Sequence, residues 1–201
     1  MTKQSKGRTR HDLNSEATRT AIHKAAHRLF AKSGYAGTSL SEIVAAASVT
    51  TGAIYHHYGD KKGLFRAVVE DLESTVMTRI VARAAQEADP WARLERGIDA
   101  MLDACLAPDV QRILFTDAPN VFGQAEWREI EKRYGYGALI ETLNQLKAMN
   151  ALRISSVEIV APILLGALGE AAGAIALAKN KPEALRDARD AISAMLSSLR
   201  T

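Results

Sequence analysis

Apolar residues return at helical intervals along nearly the whole chain, and runs alternating strictly between apolar and polar are scarce. Ile22, Ala25, Ala26, Leu29 and Phe30 keep the i, i+3, i+4, i+7, i+8 spacing that gathers one stripe on a helix, and Gly34 ends that helix. In TSLSEI, Ser39 and Glu42 have the spacing of a reciprocal cap, so a second, short helix starts there with Leu40, Ile43, Val44 and Ala47 as its inner face. ASVT interrupts it and Thr50 offers the cap of a third; two short helices joined by a tight turn make a helix-turn-helix. Asp60 caps a fourth, long helix carried by Leu64, Phe65, Val68, Val69, Leu72, Val76 and Ile80. It stops before ADPW, where Asp89 and Pro90 are the cap and first-turn residues of the next. Further helices are predicted over 91–106, 109–117, 124–149, 156–179 and 182–199, the last two capped by the Ser155/Glu158 and Asn180/Glu183 pairs. The expected fold class is all-α.

Charge divides the chain. Residues 1–66 carry 11 Lys and Arg against 4 Asp and Glu, a net +7, and residues 67–201 carry 15 against 19, a net −4. A basic module on a mildly acidic body is the footprint of nucleic-acid binding, although membrane surfaces and acidic proteins attract the same charge. We expect a disordered basic arm over 1–14, a helix-turn-helix domain over 15–66 and a helical regulatory domain over 67–201. The arm, with Lys3, Lys6, Arg8 and Arg10, suits the minor groove and a solubilising tail about equally. Apolar runs such as IVAPILLGAL fall short of the roughly 20 residues a membrane span needs, and the basic N-terminus has no apolar stretch behind it. No signal peptide, anchor or membrane partner is therefore expected. The one cysteine, Cys105, suits a reducing compartment, and the expected location is the cytoplasm.

The candidate chemistry lies in VTTGAIYHHYGDKK, residues 49–62. At about 100° per residue, Thr51, Gly52, Tyr55 and His56 share one face while Ile54, His57 and Tyr58 take the other. Two hydrogen-bonding side chains around a residue with no side chain suit close entry into a major groove. The glycine costs up to about 1 kcal/mol of helix propensity, which close approach would explain. Lys61, in the first turn of the next helix, opposes the helix dipole unless an anion such as a phosphate lies nearby. A metal site fares worse: His56 and His57 diverge on the helix, and His23 and His27, although at i, i+4, have no sequence-near third ligand.

Thr18 to Val69 resembles the DNA-binding domain of the TetR family of bacterial transcriptional regulators. Gly34 and Thr38 fall in the first inter-helix link, and Val49, Gly52, Ile54, Tyr55, His57, Tyr58, Lys61 and Leu64 fit the family arrangement V-x-x-G-x-L-Y-x-H-F-x-x-K-x-x-L, with Ile for Leu and Tyr for Phe. The resemblance implies that Thr51, Gly52, Tyr55 and His56 face the groove and that Ser39, Thr50, His57 and Lys61 lie near the DNA backbone. Ser48 departs from the glycine frequent in the family's turn, and a serine at positive φ there is mildly strained.

Two regions of the second part invite more than packing. The segment DACLAPDVQRILFTDAPNVFGQAEW, broken at Pro108, Pro119 and Gly123, supplies a candidate pocket from Met101, Cys105, Arg112, Phe115, Asp117, Phe122, Gln124 and Trp127, with ordinary core packing as the rival reading. The helix from 156, apolar on most of its circumference and rich in small residues, forms with the last helix a candidate dimer interface: Leu165, Gly166, Gly169, Ala172, Gly173, Ile192, Met195 and Leu196. The core of one monomer is again the rival. In the resembled family the last two helices pair with their two-fold mates, and small molecules commonly relieve binding to DNA.

No G-x-S-x-G, G-x-x-x-x-G-K-[ST], H-E-x-x-H or paired-cysteine pattern occurs, so neither an enzyme nor a cofactor or metal is expected. The expectation is an N-terminal three-helix DNA-binding domain followed by a helical ligand-binding and dimerisation domain. It would act as a homodimeric repressor of a palindromic operator, released by an apolar or amphipathic small molecule. The alternative is a helical adaptor using the basic segment on anionic lipid or acidic protein.

Overall fold

The computed structural model describes the backbone over residues 10–201 and the side chains from residue 14. Among the described residues there are nine helical elements: α1 (Arg10–Ser33), α2 (Leu40–Ala47), α3 (Thr51–Tyr58), α4 (Lys61–Ala84), α5 (Pro90–Ala104), α6 over 108–122, α7 over 124–148, α8 (Val157–Leu177) and α9 (Lys181–Leu199). The extended pairing seen among them is an antiparallel bridge between Leu152 and Arg200. The fold is all-α, as its periodicity requires. Two compact units divide within α4, one ending at Val68 and the other starting at Val69. The expected arm over 1–14 needs correction at its end: α1 already begins at Arg10, because 10–33 contains neither Gly nor Pro to stop it. Lys3, Lys6 and Arg8 lie outside the described residues.

The first unit is held by Ile22, Ala26 and Phe30 of α1, Ile43 of α2, Ile54 of α3 and Leu64, Phe65 and Val68 of α4, all without exposed surface. Phe65 meets the Phe30 ring edge-on at 5.0 Å and the Tyr35 ring at 4.9 Å, geometries that suit the aromatic quadrupole. Local signals set the turns. Gly34, at φ 73°, closes α1, its amide donating to Phe30 O at 2.9 Å. Buried Thr38 donates its hydroxyl hydrogen toward Gly34 O at 2.8 Å and Leu29 O at 3.2 Å. Ser39 and Glu42 form the reciprocal cap of α2. Ser48 closes α2 at φ 54° and ψ 45°, the left-handed conformation in which a side chain is strained.

In the second unit, Trp91, Leu94, Ile98 and Leu102 of α5 pack with Leu143 and Leu146 of α7, Ala161, Leu164, Leu168 and Ile175 of α8, and Leu185, Ile192 and Leu196 of α9. Asp103 of α5 accepts from Arg83 of α4 at 3.0 Å and from Arg189 of α9, tying three helices together. Two helices widen locally. Gln111–Asp117 in α6 and Lys132–Tyr136 in α7 are π-helical, with the Ala118 amide donating five residues back to Ile113 O. Pro119 lacks the amide that would close the α-pattern, which accounts for a disturbance in α6.

Two sequence expectations shift. The cap of α8 is Ser156, which accepts from the Ile159 amide at 3.3 Å, and not its neighbour Ser155. The apolar runs are short, as expected, but one helix taken whole has the length and composition of a membrane span. Val157–Leu177 has 21 residues with a mean hydropathy of 1.9 in its 18-residue window, of which 28% is buried within the chain. Length and composition alone qualify it, as they do many core helices.

Candidate nucleic-acid interface

The third helix is short, and each of its residues is fixed by what precedes it. Thr50, at φ −92° and ψ 156°, accepts from the Ala53 amide at 3.3 Å, so its hydroxyl hydrogen remains available to an outside acceptor. Ile54 anchors the inner face with no exposed surface, while Thr51, Gly52, Tyr55 and His56 are exposed, Tyr55 at 53%. A Cβ built on Gly52 would find the Thr50 hydroxyl oxygen as its near neighbour at 3.8 Å, an ordinary contact. Nothing inside the protein therefore demands glycine at this position.

The flanking residues differ in what they have left to offer. His57 is half-buried, and burial lowers its pKa, with the charges of His56 and Arg19 adding to the effect. Both effects disfavour the charged form of the ring. Tyr58, behind it, donates to Arg19 O at 2.9 Å and pins α3 to α1. Ser39 is exposed but engaged: its amide and its hydroxyl each donate to Glu42 Oε2 at 2.7 Å, which holds that carboxyl below its usual range. A phosphate at Ser39 would thus also meet the charge of Glu42.

Lys61 opens α4 with Asp60 as its cap, the Gly63 amide donating to Asp60 Oδ1 at 2.7 Å. A Cβ on Gly63 would lie 2.1 Å from Tyr58 O, so only glycine fits this entry. The Lys61 ammonium stands 4.3 Å from the centroid of the Tyr35 ring, a cation–π contact that places its charge without quenching it. His23 Nε2 lies 3.3 Å from Ala67 O, a structural contact, and the described residues contain no group of three metal-ligating side chains.

The second unit contains a cavity of about 130 Å³, walled by α4, α5, α6, α7 and α8. Of the pocket residues expected from sequence, Met101 and Phe115 line it. The other six do not. Cys105 is buried, its thiol donating to Met101 O at 3.2 Å and pushed up to about 12 chiefly by burial. Arg112 and Asp117 form an ion pair at 3.4 Å, Phe122 and Trp127 are core residues, and Gln124 is exposed. The sequence reading missed Glu73, Met77, Ile80, Arg93, Ile98, Glu131, Gly135 and Leu139, among others that line the space. Both π-helical turns contribute to its wall, through Phe115 and Gly135.

On α8 and α9 the expected interface also divides. Ala172, Ile192 and Leu196 are buried within the unit, because Val157, Ala161, Leu164, Leu168, Ala172 and Ile175 form the inner face of α8. Leu165 lines the cavity. Met195 is exposed, and Gly166, Gly169 and Gly173 have open space where a Cβ would stand. Ile159, Ile163 and Leu177, exposed at 63%, 57% and 89%, continue the outer apolar stripe, and their spacing of four and eighteen residues was readable in the sequence.

Residues 22–68 match the family model described as bacterial regulatory proteins, tetR family. Residues 91–199 match that of the tetracyclin repressor-like C-terminal domain. The HTH-type transcriptional regulator AcrR of Shigella flexneri is 36% identical over 101 residues, 50% of this chain and 47% of that protein, so the match spans about half of that relative. The transposon Tn10 TetC protein of Escherichia coli is 25% identical over 153 residues, 76% of this chain and 77% of its own. The crystal structure of a TetR-family transcriptional regulator from Pectobacterium atrosepticum superposes with a TM-score of 0.83 at 31% identity, over 96% of this chain and 98% of that one.

Proposed function

The chain belongs to the TetR family of helix-turn-helix transcriptional regulators, and from that premise we propose a homodimeric, cytoplasmic repressor of a palindromic operator that a small molecule releases. The observation that carries the DNA contact is the split face of α3: Thr51, Gly52, Tyr55 and His56 stand exposed above a fully buried Ile54. In this reading Tyr55 and His56 touch base edges, Gly52 allows the backbone close, and Thr50, His57 and Lys61 hold phosphates. Ser39 contributes only if Glu42 turns aside. The relatives are regulators rather than enzymes, and the adaptor alternative is not favoured, since both units match regulators.

A second copy is the partner we assign to the outer stripe of α8 with Met195 of α9. Reading two successive major grooves, about 34 Å apart, takes two α3 helices related by a two-fold axis. The exposed Ile159, Ile163 and Leu177 give α8 apolar surface to bury against its mate. The effector site is the cavity of the second unit, comparable in size to a space of about 150 Å³ known to hold a benzene ring. Release works through α4, which begins at Lys61 and supplies Glu73, Met77, Ile80, Val81 and Ala84 to the cavity wall. An effector that displaces this helix changes the spacing of the two α3 helices and lowers operator affinity, and linkage requires operator DNA to weaken effector binding by the same factor.

Selection from random duplex DNA tests the reading. It should return an inverted repeat whose half-sites lie one helical turn or a multiple apart, and Tyr55→Ala should weaken binding to it. Recovery of no preferred sequence, or of a site without two-fold symmetry, would overturn the proposal.

A further inference from the structure

The effector cavity is not uniformly apolar. Its wall is mostly hydrocarbon, thioether and aromatic, with Met77, Ile80, Ile98, Met101 and Phe115, yet two acidic residues line it from different helices, Glu73 from α4 and Glu131 from α7. Glu131 has the indole of Trp127 as donor and Arg128 nearby. Glu73 has neither. It is part-buried beside the cavity, and no donor among the described residues reaches its carboxyl.

The remaining charged and titratable groups around Glu73 do not answer it. Arg93 of α5 lines the cavity, but its guanidinium donates to Glu87 O at 3.1 Å and 3.3 Å and to Gln145 Oε1 at 3.4 Å. Cys105 is a neutral thiol. Burial, with the Glu131 charge adding, raises Glu73 to about 7, so its proton is readily displaced near neutral pH. A carboxylate left without a partner inside an apolar wall is costly unless a ligand supplies the opposite charge.

Resting on the reading of this cavity as the effector site, we infer that the effector is a compact lipophilic cation, its charge set between Glu73 and Glu131 and its apolar part against Phe115 and the methionines. Aromatic faces attract cations and thioethers adapt to irregular apolar shapes, so this lining serves both halves of such a molecule. The volume limits it to about one ring or an equivalent branched group.

The test compares phenyltrimethylammonium with tert-butylbenzene, which has nearly the same shape without the charge. Both are titrated into the full-length protein at pH 8 and at pH 6, with binding followed by calorimetry and thermal shift. The quaternary cation cannot titrate, so any pH dependence belongs to the protein. We expect the cation to bind at least tenfold more tightly than the isostere at pH 8, and to weaken by up to about tenfold at pH 6 as Glu73 takes up its proton. Glu73→Gln should remove most of that preference and leave the isostere unchanged, and Glu131→Gln should reduce it. Equal or tighter binding of the isostere by the unaltered protein would overturn the inference while leaving the cavity as an effector site. If neither compound binds, the effector-site reading falls with it.

Discussion

Gly52→Ala should move stability and function in opposite directions. Gly52 lies in the first turn of α3, is absent from the positive-φ residues, and a Cβ there meets only the Thr50 hydroxyl oxygen at 3.8 Å. Alanine can adopt this backbone without a clash, and it restricts the unfolded chain. The free protein should gain about 0.4–1 kcal/mol. For a chain of this length that raises Tm by roughly 1–4 °C, if unfolding is two-state. The same methyl projects from the exposed face that we assign to the groove. If the backbone approaches base edges closely there, the added carbon separates the surfaces or displaces neighbouring contacts, and operator affinity should fall tenfold or more, about 1.4 kcal/mol. Thermal melts of the free protein and fluorescence anisotropy with the selected operator at one fixed salt concentration measure the two halves. A variant that melts higher and binds as tightly as the parent refutes the close-approach argument, and one that melts lower refutes the account of the free helix.

Tyr55→Ala or His56→Ala should cost about 1–3 kcal/mol in specific binding with little change in Tm, because both side chains are exposed; unchanged affinity in titrations of both variants removes them from the groove face. Lys61→Ala should weaken all duplexes alike and lower the salt slope by about 1 per subunit, whereas a loss confined to one sequence contradicts a phosphate role. Gly169→Arg should split the dimer but leave each monomer folded, since nothing within the chain lies within 4 Å of the position a Cβ would take; sedimentation showing an intact dimer places the interface elsewhere. Glu73 is raised from 4.5 to about 7, so its contribution is fully present below about pH 4.5 and is lost as pH rises through 7. Glu73→Gln should therefore be progressively more stable than the parent, by up to about 3 kcal/mol at pH 8, and a difference in urea melts that does not change between pH 5 and pH 8 would contradict this.

What could be read from sequence follows the range of the forces involved. Caps, turns and the two faces of α3 depend on residues within four positions of one another, so Ser39 with Glu42, Thr50 with Ala53, and Ile54 opposite Tyr55 were all legible. At Ser48 the sequence shows a departure that could alter the turn, yet the residue takes the left-handed conformation that glycine favours. The α8 cap was missed by one residue because Ser155 and Ser156 are adjacent and either can approach the first-turn amides. Non-local features failed for a different reason. The cavity collects side chains from five helices, and a single aromatic segment identified only Met101 and Phe115 of them. On α8, apolar residues all around the circumference conceal the helix phase, which led Ala172 to be assigned outward when it is buried. Charge hid Glu73 and Glu131, since acidic residues on long amphipathic helices ordinarily face water.

The two π-helical turns have a consequence for inheritance. Each holds about one residue more than an α-helix of the same length, a local excess that leaves the helix on either side in phase. Loss of a single codon within 111–117 or 132–136 would take up that excess and return the turn to an α-pattern, while the flanking residues kept their partners in the core. Phe115 and Gly135 lie in these turns, so the part of the gene where a one-residue deletion is most easily borne encodes part of the cavity wall. On the proposed reading of the cavity as the effector site, chemical preference for an effector can then drift by small deletions and insertions, while α3, encoded far upstream, keeps its proposed groove face.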